Sequence, residues 1–329
     1  MTTQTMKAIT ATGYGSPEVF QFTEVARPEP KADQILVKVM VSSATTADTM
    51  MRTGKPYIGR LFTGISKPKF PIPGTGFAGV VEAVGADVTT FQVGDRVFGE
   101  SKLGFSANAE FVAIPASGVV LKMPDNMEFA EAASFADGHL TSYNFLHEIA
   151  KISPGQKVLI NGASGALGVS AIQLAKYFGA EVTAVCSQKN SGLVKSLGAD
   201  YVIDYQVNDF TIADKQYDFI YDTIGKSSFK ACQSVLTPTG TYLSPVLSFG
   251  LLLYMLKSSF GKGQKSRFEA TGANTSEVLR PMLQDVLEIF MEGRLKTVID
   301  RQFPLEKLAD AHRYIDTGRK KGNVIIIHA

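Results

Sequence analysis

The chain has 329 residues, 45% of them hydrophobic and 19% charged, with 30 Gly and 14 Pro. A length of about two domains of ~150 residues and an ordinary globular composition exclude disordered, collagen-like and coiled-coil classes. Lys and Arg number 33 against 31 Asp and Glu, a net +2, too even for polyanion binding to be the default, so no nucleic-acid partner is expected.

Taken from the start, the first residues lack the basic and then apolar pattern of a secretory leader and the Arg-rich character of a transit peptide. Positions 34–41 (QILVKVMV) and 79–84 (GVVEAV) are short apolar segments between Gly, Pro and Asp turn signals, which predicts strands and a small barrel in the first third. From Glu128 the texture becomes helical and runs to Ser153-Pro154-Gly155, which cannot continue a helix.

Beyond that point strand and helix alternate. Strands are predicted at 157–161, 181–187, 201–204, 219–222 and 240–243, with helices at 166–178 and 191–197 between them. Near-continuous apolar strands separated by helices indicate a parallel, doubly wound sheet. A helix after Ser276, a strand at 298–303, a helix at 305–316 and a closing strand at 324–328 do not extend the series and are expected to rejoin the first domain. The predicted division is 1–125 with 275–329, and 126–274. The run VLSFGLLLYML at 246–256 is far shorter than the ~20 residues that cross a bilayer. No stable membrane insertion is expected. Cys186 and Cys232 have no C-x-x-C spacing, so neither a disulfide framework nor a cysteine-rich zinc site is available, and a cytoplasmic setting is expected.

The most informative stretch is Val158 to Gly168, VLINGASGALG, in which strand, glycine turn and helix succeed one another. Gly162, Gly165 and Gly168 vary the G-x-G-x-x-G fingerprint; residues without Cβ allow a tight turn and close approach to a pyrophosphate, whose charge meets the N–H groups of the helix starting at Ala166. Ala163, Ser164 and Leu167 complete this candidate cofactor turn. An NAD-preferring site carries Asp or Glu at the end of the second strand, ~20 residues on. Here no carboxylate occurs between Glu181 and Asp200, and Ser187, Gln188 and Lys189 stand there instead. A hydroxyl and a cation suit a 2′-phosphate, so NADP(H) is the expected cofactor.

The motifs Pro73-Gly74-Thr75-Gly76-Phe77-Ala78-Gly79, Gly94-Asp95-Arg96-Val97, Ala109-Glu110-Phe111, Leu140-Thr141-Ser142-Tyr143, the glycine turn and Gly198-Ala199-Asp200-Tyr201 resemble, in this order, the medium-chain dehydrogenase/reductase superfamily. The likeness is greatest to its zinc-independent quinone oxidoreductase and enoyl reductase branch. The resemblance implies a GroES-like β-barrel catalytic domain built from both chain ends, a Rossmann domain between them and a cleft where substrate meets nicotinamide. It also implies a homodimer. Metal-bearing relatives place ligands at positions that here read Asp48, Thr75 and Gly76, so no catalytic metal is expected.

Without a Lewis acid, hydride addition to an enone or quinone is easier than oxidation of an unactivated alcohol, because the developing oxyanion is delocalised and needs only hydrogen-bond donors. The resemblance marks Tyr57 as a candidate proton donor, and Asp48 and Thr45 as candidate catalytic residues in a segment where Thr45 and Thr46 replace the family's Asn-Pro. It places Thr141 near the nicotinamide ribose, Tyr205 near a 2′-phosphate and Asn323 where relatives carry a cofactor-contacting Lys. A metal-free carbonyl or alcohol dehydrogenase, and a nucleotide-binding scaffold without turnover, remain alternatives. A short-chain dehydrogenase is disfavoured, since none of the 11 Tyr is followed four residues later by Lys. The stretch 248–267 is open between a substrate lid, dimer packing and a membrane contact.

Overall fold

The computed structural model describes residues 4–102, 106–212, 214–259 and 261–328. The chain divides into two compact units. The first comprises Met1–Asp137, Gly272–Gln284 and Thr297–Ala329, and the second Gly138–Thr271 and Asp285–Lys296.

The first unit begins with an antiparallel ribbon of β1 (Thr5–Ala11) and β2 (Phe20–Ala26). It continues with β3 (Gln34–Ala44), helix α1 (Thr46–Thr53), β4 (Gly76–Val84), β5 (Arg96–Glu100), β6 (Phe111–Pro115) and β7 (Val119–Lys122). Strand β3 is the hub: it pairs antiparallel with β4 and with β6. Its side chains are buried on both faces over most of its length rather than alternating, so packed side chains cover it above and below. At the β3/β4 register shift, a Cβ on Gly79 would stand 2.1 Å from the Lys38 carbonyl oxygen, so only glycine lets the strands approach. Ile35, Val37, Phe77, Val81, Val97 and Val112 form the core between the strands.

In the second unit, helical turns run from Phe129, still in the first unit, to Ile149 with two π-type turns. Then follow β8 (Lys157–Asn161), α2 (Ala166–Tyr177), β9 (Glu181–Cys186), α3 (Ser191–Ser196), β10 (Tyr201–Asp204), β11 (Tyr217–Asp222), β12 (Leu236–Ser244), α4 (Phe249–Ser259) and β13 (Lys265–Phe268). The strand order is β10-β9-β8-β11-β12-β13, and every pairing is parallel. From β8 the chain winds outward on one side and then, from β11, on the other, so the topological switch lies between β8 and β11. Val158, Leu159 and Ile160 are wholly buried, as a strand covered on both faces requires. The stretch 248–267, left open from sequence, forms α4 and most of the sixth strand; residue 260 lies outside the described residues.

Helix α5 (Ser276–Met291) opens in the first unit and closes in the second. The chain then returns to the first unit through β14 (Ile299–Pro304), α6 (Leu308–Asp316) and β15 (Asn323–Ile327). Strand β15 pairs antiparallel with β3, so the last strand completes the sheet of the first.

Candidate functional site

The glycine turn leaves the carboxyl end of β8 at the switch. Gly162 has φ 80°, and a Cβ on it would lie 2.6 Å from Thr223 Oγ1. A Cβ on Gly168 would lie 2.3 Å from the Gly162 carbonyl oxygen, so α2 packs too close to the turn for any other residue. Gly165 differs: its Cβ would meet only the Gly162 oxygen, at 3.4 Å, so the space beside it is open to a ligand. Gly165 caps α2 without a side chain, and Val169 N–H makes the first helical bond back to it. The N–H groups of Ala166, Leu167 and Gly168 are therefore the helix's unclaimed donors, which an anion can take up. Ala163 N–H is fastened to the Val185 carbonyl, and Ser164 Oγ accepts from Asn190 Nδ2 at 2.9 Å. Asn190 Oδ1 is buried with no hydrogen-bond partner among the described residues, an acceptor left over beside the turn.

Strands β9 and β10 run side by side with Cys186 opposite Asp204. Ser187, just past β9, is buried, Lys189 is exposed, and Tyr205, just past β10, is 60% exposed. The three predicted residues thus lie just beyond the ends of two adjacent strands. Thr141 lies in the helical turn Leu140–Tyr143, which Ser142 ties to the turn's far side by donating to the Leu167 carbonyl at 2.9 Å. His139, to which no chemistry was assigned, is buried, and desolvation lowers its pKa to about 3 and keeps it neutral.

Sequence reasoning missed the residue that organises this end of the sheet. Asp222, fully buried at the end of β11, accepts hydrogen bonds from Asn161 Nδ2 (2.9 Å), Tyr242 Oη (2.7 Å), Gly225 N–H (3.0 Å) and Ser227 N–H (2.8 Å). The donors leave little of its charge uncompensated, which is the condition for a buried carboxylate. The available signal was that β8 and β11 both end in a polar residue after an apolar run. Beside it, a shallow hollow is lined by Gly225, Ser227, Phe229, Tyr242, Ser248 and Tyr254, among others.

In the first unit, Thr45 and Asp48 cap α1 reciprocally. Asp48 N–H donates to Thr45 Oγ1 at 3.0 Å, and Thr45 N–H and Oγ1 donate to one Asp48 carboxylate oxygen at 2.8 and 2.9 Å. Arg52, on the same helix, donates from Nη2 to both carboxylate oxygens of Asp316 of α6 (2.9 and 2.7 Å) and from Nη1 to the Gly15 carbonyl. Asp48 is buried, and desolvation raises its pKa to about 7 against those hydrogen bonds, with Asp137 adding to the rise and Lys320 opposing it. Glu100 is raised to about 8 by burial and by Asp137 and Asp48. Asp137 is raised by burial, and Lys320 is lowered by burial against its three acidic neighbours. Burial thus raises the three carboxyls and lowers the amine, and their charges act on one another.

Tyr57 lies apart from these groups in its exposure, at 66%, with the Arg60 guanidinium 4.8 Å from its ring centre. Asn323 is buried at the start of β15, and its Nδ2 is spent on the Val298 carbonyl at 3.1 Å. A shallow hollow in this unit is walled by Asp48, Arg52, Tyr14, Phe20, Met51 and Phe70, among others. Among the described residues no group of three or more His, Cys, Asp or Glu could hold a metal ion, and no helix is long and apolar enough to cross a membrane.

A GroES-like sheet closed by both chain ends and a doubly wound parallel sheet with a glycine turn at its switch define a two-part, dinucleotide-dependent dehydrogenase or reductase. The models that match describe an alcohol dehydrogenase GroES-like domain, over residues 31–125, and a zinc-binding dehydrogenase, over residues 197–326. A 2-methylene-furan-3-one reductase of Solanum lycopersicum is 34% identical over 98% of this chain and 79% of its own length. A human quinone oxidoreductase is 30% identical over 95% of this chain and 94% of its own. A mycobacterial protein solved in complex with NADPH superposes with TM-score 0.83 at 25% identity, covering 98% of this chain and 99% of that one. This chain belongs to the medium-chain dehydrogenase/reductase superfamily, in its quinone oxidoreductase-like branch.

Proposed function

We propose that the chain is an NADPH-dependent reductase of quinones or α,β-unsaturated carbonyls that works without a metal ion. The observation that carries this reading is the open glycine turn at the switch point, with Ser187 and Lys189 rather than a carboxylate beyond the end of β9. The names of the relatives, an enone reductase and a quinone oxidoreductase, support the substrate class.

Bound on the second unit, NADPH supplies the hydride. The turn and the first N–H groups of α2 hold the pyrophosphate, Ser187, Lys189 and Tyr205 hold the 2′-phosphate, and Thr141 positions the nicotinamide ribose. In the first unit Tyr57 donates the proton, and the buried Asp48 and Glu100 carboxyls, raised to about 7 and about 8, exchange protons near neutral pH. Thr75 and Gly76, where metal-bearing relatives carry ligands, support chemistry that relies on hydrogen-bond donors alone. The free, buried Cys186 and Cys232 support a cytoplasmic setting, and a homodimer is the family expectation.

The test is oxidation of NADPH and NADH with quinones, enones and simple aldehydes, with and without chelator. Chelator-resistant turnover of a quinone or enone with NADPH preferred is expected; turnover of aldehydes alone would indicate a metal-free carbonyl or alcohol dehydrogenase. The mutual capping of Thr45 and Asp48 where relatives carry Asn-Pro favours a second reading, a nucleotide-binding scaffold, which predicts NADPH binding and no turnover with any acceptor.

A further inference from the structure

Three consecutive cations stand in the turn before β15, and one of them is turned inward. Arg319 and Lys321 are exposed, whereas Lys320 is half-buried. The turn itself is fastened: Lys321 N–H donates to Asp300 Oδ2 at 2.8 Å, and Tyr314 Oη donates to the same oxygen. Lys320 is therefore carried by a fixed stretch of backbone rather than by a loose loop.

Its ammonium has little to bind in the protein. Nζ donates to the Gly322 carbonyl at 3.3 Å and, among the described residues, makes no ion pair. Asp137, Asp300 and Asp48 act on it only through space and favour its charged form against burial. Two of its three N–H donors are thus unclaimed. Glu100 and Asp137 are half-buried as Lys320 is, so these groups line a recess of the first unit that solvent still reaches. Burial raises Asp48 to about 7 and Glu100 to about 8, so these neighbours cancel less of the cation's charge than fully ionised carboxylates would.

We propose that Lys320 is the electrophilic residue of the reaction, its ammonium donating to the carbonyl oxygen of the quinone or enone. The inference rests on the reading of the chain as a reductase that works without a metal ion. When hydride adds to the β-carbon of an enone, the electron pair of the C=C bond moves toward the carbonyl carbon, and the carbonyl pair moves to oxygen. The oxygen becomes an enolate oxyanion, and the nicotinamide gives up the two electrons. A fixed cation with open donors in a poorly solvated recess stabilises that charge more than the neutral ground state, which is the condition for a faster step. Lys320 keeps its proton throughout, and the proton that completes the product comes from another donor.

The experiment compares Lys320→Ala, Lys320→Arg and Lys321→Met with the unmodified chain. In Lys320→Ala, kcat for an enone should fall about a hundredfold, with the thermal midpoint and the KM for NADPH unchanged, and propylammonium in the buffer should restore part of it. Lys320→Arg should keep part of the activity, and Lys321→Met all of it. A second readout needs no turnover: nitrophenol, whose phenolate resembles the enolate, is titrated in the presence of NADP+ and its ionisation followed by absorbance. Bound nitrophenol should ionise at lower pH than free nitrophenol in the unmodified chain and in Lys321→Met, and this shift should vanish in Lys320→Ala. Absence of nitrophenol binding, or the same shift in Lys320→Ala, overturns the proposal. So does a fall in kcat that comes with a lower thermal midpoint and no recovery with propylammonium, which would leave Lys320 only balancing its acidic neighbours. If the unmodified chain reduces no quinone or enone, the reductase reading fails by itself and the nitrophenol titration alone decides the role of Lys320.

Discussion

Asn161 Nδ2 donates to Asp222 Oδ1 at 2.9 Å, joining the last residues of two strands that are neighbours in the sheet and 61 positions apart in the chain. This bond fixes the point where the glycine turn departs, because Gly162 follows Asn161 directly and Thr223 Oγ1 donates back to the Asn161 carbonyl at 2.8 Å. Replacing Asp222 with Ala strands Tyr242 Oη, Asn161 Nδ2 and two backbone N–H groups in a buried site. Denaturant unfolding should show a loss of ~3 kcal/mol or more. Loss of NADPH binding at full stability would instead mean that the network serves the ligand rather than the sheet.

Two glycines of the turn, Gly168 and Gly165, should separate by mechanism. Gly168→Ala forces a Cβ against backbone at 2.3 Å and should cost ~1–3 kcal/mol of stability along with NADPH binding. Gly165→Ala meets almost nothing in the protein, so its thermal midpoint should stay unchanged while NADPH affinity falls about tenfold. Equal affinity for the two proteins in a calorimetric titration would place the pyrophosphate elsewhere.

Lys189→Glu replaces an exposed cation with the charge that repels a 2′-phosphate. The KM for NADPH should rise about tenfold or more and that for NADH should change little. Parallel changes with both cofactors would remove Lys189 from the phosphate site.

Tyr57→Phe should leave the thermal midpoint where it is, since the side chain is largely in solvent, and lower kcat for an enone about a hundredfold. An unaltered kcat would pass the donor role to the buried carboxyl groups of the first unit.

Those carboxyl groups give a pH signature. A carboxyl whose folded pKa lies above its unfolded value binds its proton more tightly in the native state. Its contribution to stability is therefore complete below the unfolded pKa and is lost as pH rises to the folded one. For Glu100 that window runs from 4.5 to about 8. Glu100→Gln should gain stability relative to the unmodified protein across that interval, read as the difference between two denaturant series. A difference independent of pH would show that Glu100 ionises normally in the native protein.

Much of this was legible in the sequence because it depends on neighbours in the chain. The strands at 157–161 and 201–204 and the start of α2 at Ala166 follow from apolar runs and from glycines that must turn the backbone. The absence of a carboxylate after β9 is likewise a local fact. The stretch 248–267 was not legible, because its apolar residues serve two faces at once and periodicity alone does not say which face meets the sheet. The pairing of β15 with β3, the partners of Asp222 and the coupling of Asp48, Glu100, Asp137 and Lys320 all join residues far apart in sequence. The sequence by itself determined the fold class, the glycine turn between β8 and α2 and the branch of the superfamily, since each is written in short-range pattern. Only the tertiary structure decided which side chains are buried together and which are left in solvent. Desolvation and the action of one charge on another are properties of three-dimensional neighbours, not of spacing along the chain.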